Sequence, residues 1–239
     1  MKKIIHRANT RGHADHGWLN THHTFSFGSY YDPTRTNFGM LRVLNDDIVT
    51  GGAGFGKHPH DNMEIVSIPL SGSLKHEDSM GNASVIKTDD VQIMSAGTGI
   101  MHSEFNPNHN EAVNFLQIWV FPKERNIEPR YGQKTFDPSG RVNQIQTVVS
   151  PDKEGEALWI NQDAYFSLGN LQAGTDVTYD LKSTGHGVYV FTLSGNVEVA
   201  GEQLGKRDGL GIYEIDKLDI KATQNADILL IEVPMSSRG

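Results

Sequence analysis

Four side chains in this sequence, His58, His60, His102 and Glu104, have the types and the spacing to hold a metal ion. The first pair lies in Gly52-Ala53-Gly54-Phe55-Gly56-Lys57-His58-Pro59-His60 and the second in Gly97-Thr98-Gly99-Ile100-Met101-His102-Ser103-Glu104. Side chains on an extended strand alternate faces, so residues two apart point the same way. His58 and His60 then share a face, as do His102 and Glu104, and two such strands side by side bring four donors together. Three imidazoles and a carboxylate suit one divalent transition metal among Fe, Mn, Co, Ni, Cu and Zn. A lone His-x-His among 11 histidines in 239 residues would carry little weight. Two pairs, each behind glycines that let the backbone fold tightly around a small site, make the metal reading the stronger one.

Other candidates carry less chemistry. His13, His16, His22 and His23 cluster near the start, but His22 and His23 would face opposite sides of a strand, and a structural or surface role is expected. Gly205-Lys206-Arg207-Asp208-Gly209 lacks the Gly-Lys-Ser/Thr ending of a phosphate loop. There is no cysteine nucleophile, and Ser71, Ser95 and Ser103 do not sit in a nucleophile elbow. Gln117 and Trp119 share a strand face with Phe115 and Phe121. Core packing is the expectation for the aromatics, whereas a buried Gln117 would need hydrogen-bond partners and is a pocket candidate.

The elements that must position these residues read as strands. Glu64–Leu70, Asn114–Phe121 and Gly187–Leu193 are β-branched and aromatic runs, and Ser71-Gly72 and Ser194-Gly195 supply turns. Only short stretches such as Lys153–Ala157 offer helix formers, and no long 3.6-residue stripe occurs. Many short strands between glycine turns predict a barrel or sandwich. Pro122–Ser139 is polar and irregular, the expected connection between two units. A weak repeat relates Val66–Leu74 to Tyr189–Val197. Registered on its Ser-Gly pairs, it places Leu181 and Ser183 at the positions of His58 and His60. Matching Asp90-Val91 to Asp208-Gly209 puts Ile220 and Ala222 opposite His102 and Glu104. The second copy has the frame without the ligands, and His186 stands there alone.

A net charge of −8 disfavours direct nucleic-acid binding. The basic start Lys2-Lys3-Ile4-Ile5-His6-Arg7 has no apolar run of secretory length, and no stretch is long enough to span a membrane. Absence of cysteine excludes disulfides and thiolate ligands. A cytoplasmic location is expected.

The motifs also resemble a family. Gly52-x5-His58-x-His60-x3-Glu64, closed by Gly72, and Gly97-x-Gly99-x2-His102-x3-Asn106 resemble the two motifs of the cupins. The wording around them, Lys57–Glu64 and Ala96–Glu104, together with the opening Asp15–Phe27, resembles the pirins. The resemblance is specific through Pro122 and general, two-cupin in character, beyond it. It implies an all-β bicupin: two stacked antiparallel β-barrels of jelly-roll type with little helix. The expected domains are a metal-binding barrel over 1–132 and a barrel without ligands over 133–239. Glu64 occupies the broad cupin glutamate position, but pirin-like proteins use the glutamate two residues past the last histidine. Glu104 is therefore the expected ligand, with Glu64 supporting or structural.

The resemblance further implies a quercetin 2,3-dioxygenase-like activity with iron foremost among the metals. Its small aromatic substrate would be a flavonol, opened with O2 and releasing carbon monoxide, with Glu104 as the base. The expected state is a monomer. The alternative that the resemblance offers is a regulatory or scaffold protein that binds protein partners, which is ranked lower because no charged tail or block offers a docking segment.

Overall fold

The structure, a computed structural model, describes residues 1–236. The short apolar runs become strands, and the Ser-Gly signals turn tightly: Gly72 and Gly195 both adopt positive φ, at 76° and 70°. The three strands foreseen are present as Glu64–Ser71, Val113–Val120 and His186–Ser194. Among the described residues there is no α-helix, only two 3₁₀ turns at Ala8–Thr10 and Pro138–Arg141. Lys153–Ala157 forms bends rather than a helix.

The strands build two barrels, each from a seven-stranded and a four-stranded sheet. In the first, the large sheet runs in the order Arg130–Thr135, Asp90–Ser95, Glu64–Ser71, Val113–Val120, Leu41–Val49, Leu19–His23, Gly12–Asp15. Its small sheet runs Gly54–His60, Ile100–Phe105, Ser73–Asp78, Ala83–Lys87. In the second, the large sheet runs Lys2–His6, Gly209–Tyr213, His186–Ser194, Ala226–Pro234, Tyr165–Leu171, Ile145–Ser150, Leu158–Trp159. Its small sheet runs Asp176–Asp180, Lys217–Ala222, Val197–Val199, Glu202–Leu204. Among the described residues the strand pairing is antiparallel apart from Val149-Ser150 against Leu158-Trp159, with one isolated parallel bridge between Val142 and Asn170. The molecule is the all-β, two-barrel cupin that the sequence led us to expect.

The edge strands cut across the division at 132/133. That boundary falls inside Arg130–Thr135, which pairs with Asp90–Ser95 and closes the first large sheet. The stretch 122–139, read as irregular, therefore contributes a strand. At the other end Lys2–His6 leaves the first barrel and pairs with Gly209–Tyr213 of the second. Each barrel thus takes one edge strand from beyond its own stretch of chain. Each added strand satisfies the N–H and C=O groups along one side of its neighbour and becomes the new edge of its sheet.

The two large sheets pack face to face. Leu116, Ile118 and Val120 from one meet Phe166, Phe191, Leu229 and Ile231 from the other in the most extensive apolar cluster. Burying one such side chain contributes roughly 1.5–3 kcal/mol, so the contact between barrels is itself a core. Polar ties cross it at the margin: Arg207 donates to Asp46 at 2.8 Å and to Asn114 at 3.0 Å. Among the described residues no helix is long and apolar enough to cross a membrane.

Candidate metal centre

Strand Ile100–Phe105 lies between Gly54–His60 and Ser73–Asp78. Alternation turns Ile100, His102 and Glu104 inward, where all three are buried, and leaves Phe105 exposed. His102 stands opposite His58 and Ile100 opposite His60. One extra residue on the Gly54–His60 side then shifts the register, so that Glu104 stands opposite Phe55. This bulge brings Phe55 back to the cavity side that His58 and His60 occupy. Gly54 permits the close approach: a Cβ there would lie 2.2 Å from the Glu104 carbonyl oxygen.

The three imidazoles converge, with ring centroids 4.9 Å apart for His58–His60, 4.4 Å for His58–His102 and 4.8 Å for His60–His102. Their nearest nitrogens all lie within 4.8 Å of one another, and so do the donor atoms of His76, His102 and Glu104. His102 belongs to both groups and ties Glu104 to the histidine triple.

The donors are in the state a cation needs. His58 Nδ1 is 2.7 Å from the Gly56 carbonyl, which can only accept, so Nδ1 carries the hydrogen and Nε2 keeps its lone pair. His102 Nε2 is buried without any hydrogen-bond partner. Burial, reinforced by the neighbouring His58, lowers His60 to about 4. Burial and the surrounding histidines lower His102 further still, so both rings are neutral at pH 7. Burial pushes the Glu104 carboxyl up to about 7, against hydrogen bonds from Gln117 Nε2 at 2.8 Å and Ser67 Oγ at 3.3 Å. A carboxyl so short of solvent and counter-charge, grouped with a histidine whose Nε2 has nothing to bind, fits a cation held in this cluster.

The cluster opens onto a cavity of about 240 Å³ walled by Phe27, Phe55 and Trp119, with Asn45, Asp47 and Gln117 as polar lining. His60 and Trp119 also border a second, more open cavity of about 740 Å³ that includes Met63, Ile100 and Met101. Trp119 is therefore cavity wall rather than simple core, and the buried Gln117 has found its partner in Glu104. Asp47 accepts the Thr21 hydroxyl at 2.5 Å, and burial first, then the nearby Glu104, raises its carboxyl to about 7 despite that bond.

The remaining candidates stand apart from the donor clusters. Glu64 accepts Ser95 Oγ at 2.7 Å and the Asn161 backbone N–H at 3.1 Å, so it links the two barrels. His186 is bonded to Glu232 at 2.8 Å. His22 and His23 do face opposite ways: His22 stacks on His13 with centroids 4.5 Å apart, while the buried His23 bonds Asn45 at 2.9 Å. His16 is exposed. Two residues behind the site, His76 and Asp78, escaped the sequence reading. Their own i, i+2 spacing after the Gly72 turn was the signal that could have found them.

Fold and site together define a two-barrel cupin with a histidine-rich donor cluster in its first barrel. Residues 5–120 match the family model described as Pirin, and residues 147–233 the one described as Quercetinase C-terminal cupin domain. The chain is 41% identical over 230 residues to the quercetin 2,3-dioxygenase of Escherichia coli (strain K12), covering 96% of this chain and 98% of that one. The crystal structure of YhhW from Escherichia coli superposes with a TM-score of 0.94 at 39% identity over the whole of both chains. A structure of the bacterial pirin YhhW in complex with nickel(II) gives 0.92 at 40% identity, covering 98% of this chain and 99% of that one. This chain belongs to the pirin family.

Proposed function

We propose that the protein is a metal-dependent dioxygenase that opens a flavonol such as quercetin with O2 and releases carbon monoxide. The observation that carries this reading is the convergence of His58, His60 and His102, with Glu104 grouped with His102, beside an aromatic cavity that His58, His60 and Glu104 line. The name of the Escherichia coli relative supports the substrate class. His58, His60, His102 and Glu104 would hold one divalent transition ion. Iron is our first candidate, and the nickel(II) complex of YhhW supports nickel beside it. Bound there, the ion would supply Lewis acidity toward a hydroxyl oxygen and redox capacity toward O2.

The chain's own residues supply the rest. Glu104 takes the proton of the flavonol hydroxyl and returns it to the product. Gln117 and Ser67 hold that carboxylate in place from behind. Phe27, Phe55 and Trp119 offer flat apolar walls to aromatic rings and keep water from the cavity. The proton balance closes: the one taken from the hydroxyl goes to the carboxylate of the ring-opened product. We place the enzyme in the cytoplasm, acting as a monomer on a small aromatic molecule and O2.

The test is metal analysis of anaerobically purified protein, followed by oxygen uptake with quercetin and a flavonol panel in chelated and reconstituted samples. Uptake that disappears with the metal and returns with it supports the reading. Fully metal-loaded protein that consumes no oxygen with any flavonol sinks it and favours a metal-binding regulatory protein.

A further inference from the structure

His76 is fully buried directly behind His102 and has no part in the proposed reaction. It shares the inward face of Ser73–Asp78 with Asp78, and in the ladder Glu104 stands opposite His76 and His102 opposite Asp78. His76 Nε2 lies 3.0 Å from Asp78 Oδ2, and His76 Nδ1 makes a long contact of 3.5 Å with His102 Nδ1. The His76 ring is held flat against Tyr131, with centroids 4.8 Å apart and planes 31° apart.

Hydrogen positions follow from what surrounds Asp78. Its Oδ1 accepts the backbone N–H groups of Met80 and Asn82 at 2.9 and 3.1 Å, and its Oδ2 accepts Asn82 Nδ2 at 2.9 Å. A carboxylate ringed by donors only accepts, so His76 Nε2 carries a hydrogen. In the neutral ring Nδ1 then presents a lone pair to His102. Two lone pairs facing each other would repel, so His102 Nδ1 carries the hydrogen and donates. What remains on His102 is the Nε2 lone pair, at the buried atom that has no hydrogen-bond partner. The opposite arrangement would bury an N–H there with nothing to accept it.

We infer that Asp78 and His76 are positioning residues that fix the tautomer of His102 and aim its Nε2 lone pair at the metal, an inference that rests on reading His102 as a ligand. Outer partners of ligating histidines act this way in metal sites generally, by orienting the ring and raising the donor strength of its free nitrogen.

The experiment measures two things on folded protein, with urea midpoints to verify folding. Nitrogen-15 spectra of the histidine rings in metal-free protein report the tautomer of His102, and competition with a chromophoric chelator reports the affinity for Ni(II) and Fe(II). Wild type should show His102 with hydrogen on Nδ1. His76→Met should abolish that preference and weaken both ions by roughly 10- to 100-fold. His76→Gln should recover affinity to within a few-fold, since its carbonyl oxygen can accept from His102 while its amide donates to Asp78. Asp78→Asn should fall between the two.

A folded His76→Met variant with the wild-type tautomer and wild-type affinity overturns the inference, as does a Gln variant no better than Met, which would reduce His76 to packing. Wild type that binds neither ion overturns the metal reading instead. The metal-free spectra would then still decide whether His76 sets the His102 tautomer.

Discussion

The two barrels have the same strand order and opposite interiors. In the first, Ile100–Phe105 pairs with Gly54–His60 and Ser73–Asp78; in the second, Lys217–Ala222 pairs with Asp176–Asp180 and Val197–Val199. With Ile220 and Ala222 set at the places of His102 and Glu104, as the Asp90/Asp208 match has them, the ladders put Val197 and Val199 where His76 and Asp78 stand and Val177 where His58 stands. Ser67 and Gln117, which hold Glu104, correspond to Val190 and Leu230. Each of these second-barrel residues belongs to, or packs against, one apolar cluster that fills the barrel.

The second barrel does bury a carboxylate, Glu232, but satisfies it completely. It accepts His186 Nδ1 and Tyr179 OH at 2.8 Å and the backbone N–H groups of Lys182 and Ser183. Glu104 has only two neutral side-chain donors and an elevated pKa. The difference teaches that the fold needs no polar interior. A buried network persists as a unit or is replaced as a unit, because half of one leaves donors and acceptors without partners.

The largest effect that would sharpen the contrast is on turnover. Glu104→Gln keeps an oxygen donor of similar shape but no base, so the rate with flavonol should fall roughly 10²- to 10⁴-fold with a smaller loss of metal. Steady-state oxygen uptake beside metal content checks it, and wild-type turnover would remove Glu104 as the base. Next, His58→Ala, His60→Ala or His102→Ala should each weaken Ni(II) or Fe(II) binding by about 100-fold or more, beyond what loss of an outer partner costs. Chelator competition reads this directly.

A pH effect follows. Glu104 ionises near 7 in the folded metal-free protein and near its usual 4.5 when unfolded, so between those values the native state holds the extra proton. Stability of the metal-free protein should therefore fall as pH rises from about 4.5 to 7, by on the order of 3 kcal/mol at most. Urea titrations across that range should show a slope that Glu104→Gln reduces. An unchanged slope in that variant would contradict the elevated carboxyl.

Placing the first barrel's chemistry into the second should cost stability alone. Leu230→Gln buries an amide without the carboxylate that Gln117 has, at about 1–3 kcal/mol, visible as a lower urea midpoint with metal affinity unchanged. The smallest effect on the site belongs to His186→Ala. It should leave metal content and turnover nearly as they were, while Glu232 loses one of its donors. A marked loss of metal in that variant would break the comparison.

Much of this was legible in the sequence because face and donor type are local properties. Residue spacing put His58 with His60 and His102 with Glu104, and the aliphatic residues of the second copy announced the apolar interior that fills it. The internal register was harder. Counting from the Ser-Gly turns placed Leu181 and Ser183 opposite His58 and His60, whereas the ladders place Val177 and Tyr179 there. The connections ahead of the equivalent strands differ in length, and turn signals cannot count across them.

What the sequence determined by itself is the alternation of strands, the shared faces of His58 with His60 and of His102 with Glu104, and the aliphatic character of the second copy, because each depends on neighbours a few residues away. Only the tertiary structure decided that Lys2–His6 completes the second barrel and that a bulge returns Phe55 to the cavity. It also decided that Gln117 and Ser67 grip Glu104 and that His76 and Asp78 stand behind His102. Those pairings join residues far apart in the chain. Periodicity says which way a side chain points, and only the register of one strand against another says what it meets.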